Sequence, residues 1–356
     1  MAAAPTSATG IDIGHHSVKA VSISRKGKGK FVVSGYSNVL VDGELKTAED
    51  LGHCLRQIIK RAGPPSKAIG IAITSRDSLI RNIEQPETPL PLLAEALRLN
   101  GRNLLDQDLK GISLDCSINE PIAATRDADA PAPTQNESAR RKSRKYLVAG
   151  LPNTTIDLVW NAGLKERLPI KSLQLGPLAI FNAFEFAEPE IFATTAFVLV
   201  DIGHVETNLM VGCKGELVLV RSVDYCGQGL ANYLAADGTH SPEAAMRLLM
   251  QGDPAVMEMA ETYISGLARE VTNSVGYYES LRDDSISKVY LSGGMAASQQ
   301  LLQTLVGYVD VSCELWNPLQ RCEVNLPKKV HDAYEADFIN LAAATGAALD
   351  QLRGLV

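Results

Sequence analysis

The sequence predicts an α/β protein made of two related halves with an extra segment inserted in the first. Three observations carry this reading. The stretch Ile11-Asp12-Ile13-Gly14-His15-His16-Ser17-Val18-Lys19-Ala20-Val21 is repeated in kind by Val200-Asp201-Ile202-Gly203-His204-Val205-Glu206-Thr207-Asn208-Leu209-Met210-Val211, and each reads as strand, Asp-x-Gly turn and second strand. A third stretch, Val289-Tyr290-Leu291-Ser292-Gly293-Gly294-Met295-Ala296, is a buried strand that runs into Gly-Gly and then an amphipathic helix. Strand and helix periodicities alternate along the rest of the chain, as a mixed sheet with crossover helices requires.

In order, the first hairpin is followed by a strand over Phe31–Val41, a helix over Ala48–Ala62 and a short buried strand over Ala68–Thr74. The helix follows from Leu51, Leu55, Ile58 and Ile59, which share one face at helical spacing. From Arg81 to Leu168 the character changes. Pro86, Pro89 and Pro91 interrupt the chain, a helix is expected over Leu92–Leu104, and strands over Ile112–Asn119 and Tyr146–Ala149 flank a polar stretch, Thr125–Lys145. That stretch is rich in Ala, Pro, Ser and charge, ends in Arg140-Arg141-Lys142-Ser143-Arg144-Lys145, and lacks the apolar content to pack, so it reads as a solvated, disordered loop. A helix over Thr154–Ala162 and a further helical stretch within Ser172–Phe186 lead to the second hairpin. A strand over Glu216–Val223, helical segments through Leu281, the strand Val289–Leu291, a helix over Ser298–Tyr308 and a closing helix over Ala336–Leu352 complete the reading.

Composition narrows the function. At 356 residues, 46% apolar and 21% charged, the chain is long enough for two domains and has ordinary globular composition. A net charge of −7 argues against nucleic acid as a partner, because phosphate-backbone binding needs a basic surface. The most apolar stretches, Phe192–Val200 and Ile339–Leu349, are far shorter than the roughly 20 residues of a membrane span. Met1–Thr9 lacks the basic start and apolar core of a signal peptide and reads as a frayed tail. Cys54, Cys116, Cys213, Cys226, Cys313 and Cys322 are scattered without a Cys-x-x-Cys pair, which suits reduced thiols of a cytoplasmic protein better than disulfides or zinc.

The chemistry lies in the three motifs. A hairpin turn carrying Asp, Gly and a hydroxyl can aim backbone N–H groups at phosphate oxygens while its carboxylate holds a hydrated Mg²⁺. A lone Asp-x-Gly turn is weak evidence, since tight turns favour both residues for backbone reasons. Two of them in matched halves can close on one polyphosphate from opposite sides, with the nucleotide in the cleft between. At Gly293-Gly294 the missing side chains would let backbone lie against a base or sugar.

These motifs, in this order, resemble the actin-like ATPase superfamily that includes actin, Hsp70 chaperones, sugar kinases and the FtsA and PilM proteins. Within it, nearly the whole chain from Gly10 to Leu352 is similar to the PilM family of type IV pilus assembly proteins. Its most specific stretches are Gly10-Ile11-Asp12-Ile13-Gly14 followed by Ser17-Val18-Lys19, and Gly276-Tyr277-Tyr278-Glu279-Ser280 followed by Val289–Gly294. The resemblance implies an actin-like, duplicated ribonuclease H-like fold. Its parts would be a tail over 1–9, a first subdomain over 10–80 with a return over 169–195, an FtsA/PilM-type insert over 81–168, a second domain over 196–335, and a C-terminal helix over 336–356 packing back on the first domain.

The same resemblance implies ATP or ADP with Mg²⁺ as cofactor. Asp12, Gly14, His15, His16 and Ser17 would form the first phosphate loop, with Lys19 reaching the phosphates from the next strand. Asp201, Gly203 and Thr207 would form the second, Gly293, Gly294 and Met295 would line the adenosine pocket, and Asp12 and Asp201 would hold Mg²⁺ through water. Lys19 also reads as an exposed strand lysine. The chain departs from the family pattern at His15 and His16, which replace small loop residues, and at Gly176, where the family often has a carboxylate. Ala245-Met246-Arg247-Leu248-Leu249 lacks both charges of the family's Ala-Glu-x-x-Lys segment, and in the insert Asn100 and Leu105 replace an acidic residue and a proline, while Leu114-Asp115 keeps the expected strand start.

The implied function is a nucleotide-binding scaffold with weak or no ATPase activity. It would sit in the cytoplasm at the bacterial inner membrane, in the assembly platform of a type IV pilus or a related secretion or competence system, and capture the cytoplasmic N-terminal tail of a single-span, PilN-like membrane protein. The resemblance also admits contact with assembly motor ATPases and homo-oligomerisation. Two other classes compete: a small-molecule kinase of the same fold, which needs a carboxylate base beside its acceptor hydroxyl, and an FtsA-like membrane tether, which would end in a basic amphipathic helix.

Overall fold

The structure is a computed structural model and describes residues 5–27, 29–41, 43, 45–63, 66–122 and 143–353. The first half opens with β1 (Ser7–Ile13), β2 (Ser17–Lys26) and β3 (Lys30–Leu40), an antiparallel meander, followed by α1 (Ala48–Ala62) and β4 (Ile69–Ile73), which returns parallel to β1. The start of β1 at Ser7, with Thr9 buried, places Ser7, Ala8 and Thr9 in the sheet and shortens the expected tail. Helix α1 is capped by the Thr47 hydroxyl, which accepts from the Asp50 amide, carries Glu49 and Asp50 in its first turn and Lys60 and Arg61 in its last, and buries Leu51, Leu55 and Ile58.

The insert is a three-stranded sheet in the order β5 (Leu79–Pro86), β7 (Ser143–Pro152), β6 (Ile112–Ile118), with α2 (Leu90–Leu105) packed on it. The pattern did not single out β5, because Arg81, Asn82 and Glu84 break its apolar run while its ladder partner lies about sixty residues away in β7. The loop expected over Thr125–Lys145 lies largely outside the described residues; its last three, Ser143, Arg144 and Lys145, are instead the start of β7. There Arg144 pairs with Glu87 and Glu120, and Lys145 with Glu216.

Next come α3 (Asn153–Lys165), β8 (Ile170–Leu175), α4 (Gly176–Ala187) and the short α5 (Pro189–Thr194). Strand β8, which the sequence reading ran into a helix, completes a six-stranded sheet ordered β14-β3-β2-β1-β4-β8, in which β14 (Cys322–Val324) is a three-residue edge. The second half repeats the plan with β9 (Ala196–Ile202), β10 (Thr207–Cys213) and β11 (Glu216–Val223). Helices α6 (Gly227–Leu234), α7 (Pro242–Met250) and α8 (Pro254–Leu281), strand β12 (Lys288–Ser292), helix α9 (Gln299–Tyr308) and β13 (Cys313–Leu315) follow, the sheet order being β11-β10-β9-β12-β13. In both halves the hairpin's first strand is also paired with a parallel strand, β4 in one and β12 in the other.

The closing segment is not one helix. Helix α10 (Lys328–Asp337) ends in a 3₁₀ turn, Phe338–Asn340, before α11 (Ala342–Arg353) begins. Helix α11 lies backbone-to-backbone on the first sheet because Gly10 and Gly70, register partners on β1 and β4, leave a flat spot: a Cβ on Gly10 would lie 1.8 Å from the Ala344 carbonyl oxygen, and one on Gly70 2.2 Å from that of Ala347. Its other side meets α4, where a Cβ on Gly346 would lie 1.8 Å from the Ala179 carbonyl oxygen. Helix α11 is therefore made of small residues and buried from Ala342 to Leu349.

Polar side chains stitch the insert to the second half. Asn119 accepts from the Leu217 amide at 2.9 Å and donates to the Leu217 carbonyl at 2.8 Å, while the Asn82 amide donates to the carbonyls of Leu217 and Val218. Glu216, almost fully buried, takes Lys145 at 2.7 Å from the insert and Arg282 at 2.8 Å from the end of α8, so the buried charge is paired on two sides.

Candidate functional site

The two hairpin turns face each other. In each half, the Asp one residue before the end of the first strand is the register partner of a residue seven positions later on the second: Asp12 with Lys19 and Asp201 with Asn208. The turns are built alike. A Cβ on Gly14 would lie 2.8 Å from the Ser17 carbonyl oxygen, and one on Gly203 would lie 2.6 Å from that of Glu206, so neither turn accepts a side chain there.

Lys19 is not an exposed strand lysine. Its Nζ lies 3.1 Å from Asp12 Oδ2, and both side chains are largely buried. In the second half a polar row crosses the sheet: the Ser292 hydroxyl donates to Asp201 Oδ1 at 2.9 Å, and the hydroxyls of Ser222 and the amide oxygen of Asn208 lie 2.8 Å apart. Burial pushes the Asp201 carboxyl up to about 6, against the Ser292 hydrogen bond; the negative charges of Asp12 and Glu206 raise it further and Lys19 opposes them. These charges from both halves thus act on one another at a single cleft.

Gly293 lies at the end of β12 with φ +93, its α-carbon against the backbone of Ile202, where a Cβ would come within 2.5 Å of the carbonyl oxygen. Gly294 is exposed and opens the 3₁₀ turn Gly294–Ala297, which separates the Gly-Gly from α9. The expected direct run from Gly-Gly into the helix is therefore interrupted by one turn. Met295 faces Gly227, the first residue of α6, and beside it lies a narrow apolar gap, room for about one water, lined by Ile202, Tyr225, Tyr263, Leu267 and Met295. A second, polar recess of about 80 Å³ lies between the halves, lined by Thr74, Ser78, Arg81, Glu206, Asn208 and Ser222.

The structure corrects Thr207. It is fully buried and its hydroxyl donates to the Tyr225 carbonyl, so it fixes the second hairpin rather than facing the cleft. Two residues that pattern reading passed over stand nearby. The His204 ring lies 4.6 Å, centroid to centroid, from that of His16 across the cleft. Glu206 is buried beside Asn208 and 4.0 Å from Arg76, whose guanidinium also donates to the Val205 carbonyl at 3.0 Å and pairs with Asp224. Single-residue spacing carries no signal for these, because their partners come from the other half.

Gly176 has a packing reason. A Cβ there would lie 2.3 Å from the Thr74 hydroxyl, so the first residue of α4 carries no side chain into the cleft. Ala245 is buried in the second-half core, and Arg247 lies in the last turn of α7.

The residues present suit a magnesium-bound polyphosphate: two carboxylates, one lysine and two turns built on a glycine come together at one cleft, as phosphate oxygens and a hydrated hard cation require. All six cysteines are free thiols, and no helix among the described residues is long and apolar enough to cross a membrane.

The sequence matches the family described as type IV pilus assembly protein PilM over residues 10–123 and 178–352. Among solved structures, the fold is similar to that of a PilM-PilN type IV pilus biogenesis complex, with TM-score 0.79 and 18% identity over 97% of this chain and 98% of that one. It is also similar to the ethanolamine utilization protein EutJ from Carboxydothermus hydrogenoformans, with TM-score 0.53 and 15% identity over 99% and 91% of the two chains. A ROK family glucokinase from Streptomyces griseus, in complex with glucose and AMPPNP, gives TM-score 0.51 and 13% identity over 98% and 100%. No curated protein matches the sequence.

Proposed function

Because the chain belongs to the PilM family of type IV pilus assembly proteins, we propose that it is a nucleotide-binding scaffold of the inner-membrane assembly platform, with the cleft between its hairpins as the nucleotide site. The observation that carries this is the meeting of Asp12, Lys19 and Asp201 from two turns that otherwise lie in separate halves. Asp12 and Asp201 would hold Mg²⁺ through water, Lys19 and the turn amides would take phosphate oxygens, and the backbone at Gly293 and the exposed Gly294 would lie against the nucleoside. A bound Mg²⁺ would supply positive charge beside these two carboxylates.

The second part of the proposal is capture of the cytoplasmic N-terminal tail of a PilN-like single-span protein by the insert. A solved relative is a PilM-PilN complex, which supports this partner. Among the described residues β6 pairs only with β7, so its other edge offers unpaired backbone to an extended peptide. Removing residues 81–168 abolishes retention of that tail in a pull-down, whereas trimming residues 125–142 spares it; the trim stops before Arg144 because Arg144 and Lys145 belong to β7. Retention by an insert-deleted protein that is still folded by circular dichroism overturns the assignment.

Hydrolysis is slow or absent. Residue 176 is Gly and carries no carboxylate to orient an attacking water, and Glu206 is engaged by Asn208 and faces Arg76. Phosphate release stays well below about 1 per second, an ordinary enzyme turnover. Faster release, or release driven by a sugar, favours the kinase reading instead.

A further inference from the structure

The mouth of the cleft is closed by two imidazoles. His16 lies at the turn of the first hairpin and His204 at the turn of the second, both exposed on their outer side, with rings 4.6 Å apart and tilted by 32°. Among the described residues no side chain hydrogen-bonds to either ring, so their nitrogens are open to a ligand. The backbone behind them is fixed: the His204 carbonyl accepts from the Gln228 amide at 2.8 Å, the Gly203 carbonyl from the Gly227 amide at 3.0 Å, and the His16 carbonyl from the Val41 amide at 2.9 Å. Each ring therefore sits on a rigid turn and can move by rotating about its own side-chain bonds.

Resting on the nucleotide reading of this cleft, we propose that His16 and His204 form a proton-operated clasp: their rings lie together in the empty cleft and part for a polyphosphate, and His204 takes up a proton to hold a terminal oxygen. Neutral rings can lie in contact, whereas two imidazolium ions at this separation repel, so protonation also favours parting in the empty state. A bound triphosphate reverses the balance by placing anionic oxygens between the rings, and the His204 imidazolium then gives a charge-assisted N–H···O bond.

The surroundings set the direction. Burial and the neighbouring charges of His16 and His15 hold His204 below its ordinary range in the empty cleft. The other charged groups facing this mouth are the Asp12–Lys19 pair on the first hairpin, Asp201 and Glu206 on the second, and the Arg76–Asp224 pair at its flank. The acidic members are engaged by Lys19, Ser292, Asn208 or Arg76, so none is in contact with the His204 ring. Because the ring is depressed when empty and raised when phosphate-bound, binding consumes protons. Affinity is highest below the empty-state value and is lost as pH rises through the bound-state value.

The test is calorimetric titration with Mg·ATP between about pH 6 and pH 8, the range in which histidine titrates, in two buffers of different ionisation heat. Wild-type protein takes up protons on binding and binds about tenfold more tightly at the acid end, the change that one pKa unit of coupling supplies. The double variant His16→Gln, His204→Gln loses that uptake, binds more weakly at the acid end, and has a nearly flat affinity across the range. The nucleotide's own titration is common to both proteins and cancels in the comparison. Equal proton uptake by the two proteins overturns the clasp and leaves the nucleotide site standing. Absence of Mg·ATP binding by the wild type at every pH overturns the nucleotide reading and the clasp with it.

Discussion

Gly10→Val destabilises the protein severely or leaves it insoluble. Strand β1 and helix α11 touch backbone to backbone, and a side chain at Gly10 would enter the Ala344 carbonyl at 1.8 Å and the Ala348 amide at 2.6 Å, with no flexible atom to give way. Helix α11 is held on its far side by the Gly346–Ala179 contact, so it cannot retreat without also leaving α4. Overpacking of this kind costs several kcal/mol, a large part of the ~5–15 kcal/mol that holds a typical domain. Thermal denaturation reads this as a melting temperature lower by about 10 °C or more, or as insoluble protein. Gly276→Ala is the matched control. It lies exposed within α8 with nothing within 4 Å of a new Cβ, so replacing it gains about 0.5–1 kcal/mol of helix propensity. Equal behaviour of the two variants contradicts the packing account of α11.

Asp201→Ala abolishes Mg·ATP binding, with a loss of about a hundredfold or more, two decades at about 1.4 kcal/mol each. Asp12→Ala does the same and also strips Lys19 of its partner at 3.1 Å. Calorimetry reads the loss, and wild-type affinity in both variants contradicts the site assignment. The Asp201 variant has a second signature. Its carboxyl titrates at about 6 in the empty fold, above its ordinary value of 3.8, because burial disfavours the charge. A carboxyl raised by folding favours the folded state when protonated, and that contribution is lost as pH rises from about 4 through about 6. Wild-type protein therefore loses on the order of 2 kcal/mol over that interval relative to Asp201→Ala, measured as the difference between their denaturant midpoints. The variant is as stable as wild type or more so at neutral pH, which separates loss of binding from loss of fold.

Much of this architecture was legible in the chain. The Asp-x-Gly hairpins, the strand running into Gly293-Gly294 and the amphipathic helix over Ala48–Ala62 are local patterns, complete within about fifteen residues, and periodicity reads such patterns directly. Strands β5 and β8 were not legible, since each is defined by ladders to residues far away in sequence and carries polar or short apolar runs of its own. The edge strands β13 and β14 have three residues each, too few for any period. The closing helix was read as continuous because its apolar positions span the break, while the 3₁₀ turn at Phe338–Asn340 reroutes the chain so that Asp337 reaches Tyr36 and Asn38 on β3.

The sequence by itself determined the duplicated hairpins, the acidic turns at Asp12 and Asp201 and the family, because each is written in residue types at short fixed spacings. Only the tertiary structure decided which side chains share the cleft. It turned Thr207 away to the Tyr225 carbonyl, closed Lys19 onto Asp12, and set His204 against His16 and Glu206 near Arg76. The physical reason is that these contacts join residues from different strands and different halves. Their energies depend on distances fixed by sheet register and by the seating of α11 on Gly10 and Gly70, and no pattern within one segment encodes those distances.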